Sequence, residues 1–399
     1  MKYNELEKCY TASMVILPAL NVYSSFIPSV ELGTLIILIC TMIFILNSRK
    51  ERVGMDIMWA GILMLFLLCT FISAYYNPDY SMRYFSRYLK IVVIVVSIMF
   101  CGKDHFKYDY GFDVLKKFSI ACSVLITIQT VFSFVGIYIP GYLKVFTKLS
   151  DDMSSGLDYS DMLYRPCAFF FEPAHFACYQ FVFLSYLLSH ENVKKRMHLI
   201  LLTLLGIFLS TSGTGYVLTP LLFIVSYVLK PHRNGNNRMI LYTLFVLAGF
   251  VFLAYNTSIG QNTIGRFIDS EGQIGGAASG RLESGANLLF YALPDNLRLI
   301  GCGFGYRPED VYFPSLYAIL YGDGYIGLIA LALMGVIYYF HTTNFGKMLL
   351  IAYSLMFMGA GVFNFGVIGL YFIFISLETE IKQNPRFKLK LLLSDKNRN

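Results

Sequence analysis

Residues 199–229 read LILLTLLGIFLSTSGTGYVLTPLLFIVSYVL, an almost unbroken apolar run. As one α-helix this run would be about 46 Å long, whereas the hydrocarbon core of a membrane is only about 30 Å thick. A single helix would also put the basic segment KPHRNGNNR (230–238) on the opposite side of the membrane from the other basic loops. We therefore expect two short helices, 197–211 and 214–229, joined by a tight turn at STSGTG (210–215).

Apolar runs of this kind recur along the whole chain. Of the 399 residues, 56% are hydrophobic, 17% are aromatic and only 14% are charged. The runs are roughly 16–22 residues long, the length that crosses a bilayer as a helix. The sequence predicts an all-α, polytopic membrane protein that forms a single transmembrane domain over residues 1–399, with both termini in the cytoplasm. Twelve helices are predicted, at 10–28, 31–47, 55–75, 84–101, 117–139, 168–189, 197–211, 214–229, 239–257, 314–340, 347–363 and 365–379.

The net charge of +7 is explained by where the basic residues lie. They gather in NSRKER (47–52), ENVKKRMH (191–198), the 230–238 loop and the tail 382–399, which is typical of cytoplasmic loops and does not indicate nucleic-acid binding. The eight cysteines form no CxxC pair, so neither zinc nor a disulfide framework is indicated. The start MKYNELEKCY has no small-residue cleavage site, and we expect the first apolar run to be retained.

Two long segments are expected on the outer side, a first loop over 140–167 and a large loop over 256–313 with short helical pieces. The large loop contains no lysine, and its cations are Arg266, Arg281, Arg298 and Arg307. A guanidinium binds phosphate or carboxylate through two parallel donors, which an ammonium cannot do. The pattern favours an anion held in fixed geometry, although pairing with acidic residues of the same loop is an alternative. Outside the loop, Arg83 and Arg87 are interpreted as interfacial anchors or as additions to a phosphate site.

The stretch FFFEPAHFACYQ (169–180) carries polar residues at the expected start of a membrane helix. Pro173 suits a first helical turn, and Glu172, His175 and Tyr179 then share one helix face. A polar stripe at a membrane edge faces protein or water, and the helix N-terminus attracts anions. With Arg165 just ahead, these groups could hold a phosphate and accept a proton. The alternative is structural: Glu172 caps the helix and pairs with Arg165, while His175 bonds between helices.

Four stretches resemble one family of membrane enzymes. RPCAFFFEPAHFACYQ (165–180) is similar to the Arg-…-Phe-x-Glu-Pro-x-His-Phe-Ala-x-Tyr pattern of Wzy-type O-antigen and capsular polysaccharide polymerases, in the O-antigen polymerase/ligase superfamily. SGRLESGANLLFYALPDNLRLIGCGFGY (279–306) resembles the segment of those proteins that runs from an Arg to Gly-x-Gly-x-Gly. LYAILYGDGYIGLIALAL (316–333) resembles the helix that follows, and LSTSGTGYV (209–217) the family's Ser-rich break. The first five predicted helices match only in hydropathy.

The resemblance implies a metal-independent glycosyltransferase without a cofactor, in the bacterial cytoplasmic (inner) membrane, with its active site facing outward. Its substrates would be oligosaccharide repeat units on undecaprenyl pyrophosphate, polymerised into O-antigen, capsule or exopolysaccharide. Arg165 and Arg281 would bind the pyrophosphate, with Arg266 and Arg298 as further candidates. Glu172 and His175 would position or deprotonate the acceptor, Arg281 would stabilise the leaving group, and Tyr179 would contact sugar.

Two other functions stay open. An O-antigen ligase would transfer finished glycan to another acceptor, but ligases of this superfamily carry a late His that EDVYFPSLYAILY (309–321) lacks. A flippase or transporter for lipid-linked oligosaccharide would bury charges in mid-membrane, whereas here the helix centres are almost free of charge and the candidate site residues lie at the outer edge and in the large loop. Expected partners are membrane lipid, the lipid-linked oligosaccharides, and a chain-length regulator and flippase of the same pathway, with no nucleic acid.

Overall fold

The computed structural model describes residues 3–25, 30–47, 57–141, 157–158, 163–189, 196–229, 285–306, 313–359 and 366–383, with a few further positions between 245 and 261. Their helices are α1 Tyr3–Val15, α2 Leu17–Leu20, α3 Leu32–Asn47, α4 Ile57–Tyr76, α5 Met82–His105, α6 Tyr108–Ser133, α7 Pro173–Ser189, α8 Met197–Leu209, α9 Gly213–Leu229, α10 Gly285–Tyr291, α11 Asp295–Ile300, α12 Ser315–His341, α13 Asn344–Gly359 and α14 Val367–Gln383. Between α6 and α7, the two-residue strands β1 Leu157–Asp158 and β2 Leu163–Tyr164 pair antiparallel.

The all-helical prediction is confirmed for the described part of the chain, apart from this short strand pair. Four helical stretches there are long and apolar enough to cross a membrane: Met58–Tyr76, Tyr84–His105, Tyr108–Ser133 and Ser315–His341. Helices α3, α8 and α9 are shorter but also apolar. The count of twelve spans stays a prediction, because most of the predicted helix at 239–257 lies outside the described residues.

Several predicted helix boundaries were wrong, each for a local reason. One helix was predicted over 10–28. The first helix instead begins at Tyr3 and ends at Val15, and a second short helix follows Ile16 with Pro18 in its first turn. The helix predicted at 117–139 spans Tyr108–Ser133, since Phe112 stacks on Tyr186 with ring centroids 4.1 Å apart and extends the helix backwards. The helix predicted from 168 begins only at Pro173, which stands in its first turn as expected.

The turn between α8 and α9 confirms the division of residues 199–229 into two helices. Thr211 adopts the left-handed backbone conformation, with φ 54°. Ser212 then caps α9, because its hydroxyl oxygen accepts the main-chain N–H of Gly215 at 3.2 Å. This cap satisfies a donor that would otherwise be left without a partner at the start of α9.

Helices α7 and α14 form the centre of the core. Nearly every side chain of α7 is buried, and α7 packs against α6, α8, α9, α13 and α14. The Tyr371 hydroxyl of α14 donates to the Cys178 carbonyl of α7 at 2.7 Å, so the two central helices are joined by a polar bond as well as by apolar packing. A helix buried on all sides must be mostly apolar, and the polar Gln180 of α7 is accommodated by hydrogen bonds to the Ser119 carbonyl at 3.0 Å and the Ser123 hydroxyl at 3.2 Å.

Short connections fix which helix ends lie together. Residues 77–81 join the end of α4 to the start of α5, and α6 returns to the same side after two linking residues. Gln129, near the end of α6, bonds to the chain just before α7, so both lie at that end, called here the α7 end. At the opposite end, the carboxylate of Glu378 accepts the hydroxyls of Tyr108 and Thr343, which ties α14 to α6 and to the chain before α13.

Candidate functional site

The chain that precedes α7 is held in place by Gln129 of α6. The Gln129 side-chain oxygen accepts the Ala168 N–H at 3.0 Å, and its amide nitrogen donates to the Ile139 carbonyl at 2.9 Å. The Tyr164 hydroxyl donates to the same carbonyl at 3.1 Å. Ala168 has φ 49°, an uncommon conformation for a residue with a Cβ. One buried amide therefore fixes a bend in the backbone three residues after Arg165.

Glu172 lies directly before α7 and His175 lies on its first turn, where the sequence predicted them. The Glu172 carbonyl accepts the N–H groups of His175 at 3.0 Å and Phe176 at 3.3 Å, which starts the helix. The side chain of Glu172 is exposed, whereas that of His175 is only 8% exposed. One turn of helix thus presents a carboxylate to solvent and buries the imidazole beneath it.

Arg165 lies close enough to this turn to share its electrostatics. Burial raises the pKa of the Cys167 thiol to about 12, the positive charge of Arg165 opposes the rise and the negative charge of Glu172 adds to it. Both charges therefore act on the same buried thiol. Glu172 also acts electrostatically on His175. The structure brings Arg165, Glu172 and His175 together at the α7 end, and we call these three residues the α7 cluster.

Tyr179 lies one turn deeper than His175 and is fully buried. Its ring centroid is 5.4 Å from that of Phe118 and 5.3 Å from that of Phe170. These contacts place Tyr179 in the aromatic packing behind the α7 cluster. The sugar contact expected for it stays a prediction, and in this conformation its ring meets other protein rings.

Only one of the four arginines of the large loop lies within the described residues. Arg298 forms an ion pair with Asp295, three residues earlier in α11. For Arg298 the alternative interpretation, pairing inside the loop, is the one observed. Arg266, Arg281 and Arg307 lie outside the described residues, and Arg281 precedes the start of α10 by four positions. Their place relative to the α7 cluster stays a prediction.

Asp323 of α12 is a buried acid that was not predicted to have a role. Its side chain is fully buried, and neither carboxylate oxygen has a hydrogen-bond partner among the described residues. It lies directly before Gly324, where φ 64° and ψ −163° interrupt the helix. The signal was present in YGDGYIG (321–327), because a lone acid between glycines in an apolar run is expensive to bury.

A second feature missed by the sequence analysis is the contact between the segment 300–306 and the corner where α4 turns into α5. The segment also pairs with the break in α12: the N–H groups of Cys302 and Gly303 donate to the carbonyls of Tyr321 and Gly322 at 2.7 and 2.9 Å. Since α4 ends and α5 and α12 begin here, this contact lies at the same end of the bundle as the α7 cluster.

In comparisons with protein-family models, with curated proteins and with solved structures, no match to this chain is found.

Proposed function

We propose that this protein is a membrane glycosyltransferase that polymerises oligosaccharide repeat units carried on undecaprenyl pyrophosphate. The observation that carries the proposal is the α7 cluster: a guanidinium, an exposed carboxylate and a buried imidazole around the first turn of one helix. Such a set can bind a phosphate group and take a proton from a hydroxyl. The motifs at 165–180 and 279–306 support the same class of enzyme.

The reaction transfers a glycosyl group from one lipid carrier to another. A hydroxyl oxygen of the acceptor unit attacks the anomeric carbon of the growing chain and forms the new glycosidic bond. The bond between that carbon and the pyrophosphate oxygen breaks, and undecaprenyl pyrophosphate leaves with the electron pair. Arg165 and Arg281 stabilise the negative charge that develops on the leaving group, a contribution of several kcal/mol where the site is partly shielded from water. No metal ion or cofactor takes part in this scheme.

Within the α7 cluster, exposure separates two roles. Because the Glu172 side chain is exposed, it can reach an acceptor hydroxyl. We therefore assign Glu172 the role of the base that accepts the proton of that hydroxyl. His175 is buried on the first turn of α7, so we assign it a supporting role beneath the carboxylate. A positioned base contributes about 10²–10⁴-fold to the rate of such a step. Arg298 has no part in this scheme, because it pairs with Asp295.

The proposal places the enzyme in the bacterial cytoplasmic membrane, with the α7 end facing outward. The Lys- and Arg-rich segments at 191–198 and 382–399 then face the cytoplasm, in line with the usual distribution of positive charge. The lipid-linked donor and acceptor would reach the α7 cluster from the outer leaflet. A flippase and a chain-length regulator would act with it in the same pathway.

Deletion of the gene tests the proposal, with the surface glycan analysed on a gel. A polymerase mutant loses the ladder of long chains and keeps the band with one repeat unit. A flippase mutant loses that band as well, and a ligase mutant accumulates long chains that stay on the lipid carrier. An unchanged ladder contradicts all three functions. Purified protein with one lipid-linked repeat unit as its only substrate should then form polymer.

A further inference from the structure

The segment Ile300–Tyr306, which contains Gly-x-Gly-x-Gly, is bound by the corner between α4 and α5, although more than two hundred residues separate them in the chain. Here we call residues 70–87 the corner and residues 300–306 the glycine segment. Four side chains of the corner donate to carbonyls of the glycine segment. Three bonds run from Asn77 to Cys302 at 3.0 Å, from the Tyr80 hydroxyl to Phe304 at 2.9 Å, and from Arg87 to Gly305 at 2.6 Å. The fourth and longest, at 3.4 Å, runs from the Ser73 hydroxyl to Ile300.

The N–H groups of the glycine segment point into the protein as well. Cys302 and Gly303 donate to main-chain carbonyls at the break in α12, and Phe304 donates to the Thr70 hydroxyl at 3.2 Å. A glycine-rich loop that cradles phosphate needs free N–H groups turned toward the ligand. Here three consecutive N–H groups already donate to protein acceptors. The glycine segment is therefore suited to packing against protein and not to binding phosphate through these groups.

The glycines permit this close approach. Gly301, Gly303 and Gly305 have φ values of 85°, 101° and 80°, which disfavour residues with a Cβ. A Cβ at Gly303 would lie 2.6 Å from the Tyr80 ring, and one at Gly301 would lie 2.1 Å from the Gly322 carbonyl oxygen. The spacing of the motif is therefore explained by the two surfaces that clamp it, the corner on one side and the break in α12 on the other.

We propose that Asn77, Tyr80 and Arg87 are positioning residues, which set the geometry of the large outer loop by gripping the glycine segment at its end. The glycine segment follows α10 and α11 directly, and Arg281 precedes α10, so fixing one end of this unit restricts where Arg281 can reach. This inference rests on the proposed function for the role of Arg281. The inference gives residues in the first half of the chain an indirect role in the reaction. It also means that Arg87 binds a main-chain carbonyl of the loop and not a phosphate.

Cys302 provides a readout that does not depend on activity. The residue lies inside the grip, its side chain is 3% exposed, and burial raises the pKa of its thiol to about 12. Both effects slow its reaction with a maleimide, and release of the glycine segment would speed it. Full-length protein in membranes is labelled for a series of times, and modification of Cys302 alone is followed by peptide mass spectrometry.

Tyr80→Phe removes one hydroxyl and one hydrogen bond. We expect Cys302 to label roughly three- to ten-fold faster, the change in the open population that the loss of one such bond produces. Arg87→Ala should give a larger increase, and Arg87→Lys should restore part of the protection. Tyr75→Phe is the matched control, because its ring lies at the end of α4 and is 85% exposed. Wild-type labelling rates in both Tyr80→Phe and Arg87→Ala would overturn the proposal.

A double-mutant cycle tests the link to Arg281. If Tyr80 acts through Arg281, Tyr80→Phe should slow polymerisation in the wild-type background and have a much smaller effect beside Arg281→Lys. If the rate losses of the two single variants multiply in the double variant, the two residues act independently, which would overturn the positioning role. If purified wild-type protein forms no polymer, the proposed function fails while the labelling rates still decide whether the corner holds the glycine segment.

Discussion

Asn77 donates its side-chain amide to the main-chain carbonyl of Cys302, 225 residues later in the chain. The same Asn77 accepts the Asp79 N–H through its side-chain oxygen at 3.2 Å, which fixes the amide orientation within the turn between α4 and α5. A residue that shapes its own turn and grips a distant loop makes the loop position depend on the turn. Helices α4 and α5 therefore lie at the α7 end and also stabilise the position of the glycine segment there.

Glu172→Gln should lower polymerisation by about 10²–10⁴-fold, because an amide cannot accept the acceptor's proton. Protein yield and thermal stability should stay unchanged, since the Glu172 side chain is exposed and starts α7 through its main-chain carbonyl. The rate is measured with purified enzyme and a lipid-linked repeat unit. Asp113→Asn is the control, an exposed carboxylate that pairs with Lys117 at 2.6 Å in α6. Normal polymerisation by Glu172→Gln would remove Glu172 as the base.

Arg165→Lys should reduce the polymerisation rate by about 10–100-fold while the positive charge is kept. A lysine cannot form the two parallel bonds that a guanidinium makes to phosphate, and charge-assisted bonds of this kind contribute about 1.5–3 kcal/mol. Arg298→Lys is the matched control, since Arg298 pairs with Asp295 in α11 and should change the rate less than two-fold. Equal losses in the two variants would mean that Arg165 has no special role with the pyrophosphate.

Asp323→Ala should raise the unfolding temperature in detergent. A carboxyl group with both oxygens buried and without partners among the described residues carries a desolvation cost, and removal of the polar group recovers about 1–3 kcal/mol. Asp295→Ala, at an exposed site, should leave the unfolding temperature nearly unchanged. A fall in the unfolding temperature of Asp323→Ala would show that the carboxyl has a stabilising partner, such as a bound cation.

Local chemistry made part of the fold predictable from the sequence. A Ser-Gly-rich break had to separate α8 from α9 because the apolar run was too long, and Pro173 had to start α7 because proline lacks an N–H. Arg165, Glu172 and His175 were predictable together because they are close in the chain. The grip of Asn77 on Cys302 was not predictable, because it joins distant segments through main-chain carbonyls, which any sequence supplies.

The same limit explains the wrong helix boundaries and the missed Asp323. Helix α6 begins at Tyr108 because the rings of Tyr108 and Phe112 pack on the ring of Phe374, at centroid distances of 6.4 and 4.8 Å. The hydropathy of residues 108–116 does not indicate this contact with a distant helix. The sequence marks Asp323 as unusual, but its full burial depends on how the break in α12 packs against the segment 300–306, which composition does not encode. Contacts between elements distant in sequence decide both features.

Glu378→Ala should destabilise the fold without changing the chemistry of the enzyme that remains folded. The Glu378 carboxylate accepts hydroxyls from Tyr108 and from Thr343, the latter at 2.5 Å, and is 5% exposed, so its removal leaves two donors without their acceptor. The expected loss is about 2–4 kcal/mol, seen as a lower unfolding temperature in detergent. Glu378→Gln keeps one acceptor oxygen and should recover part of that stability. Because this cluster lies at the end opposite to Glu172, the polymerisation rate per folded molecule should stay at the wild-type value, and a lower rate would show that the two ends are coupled.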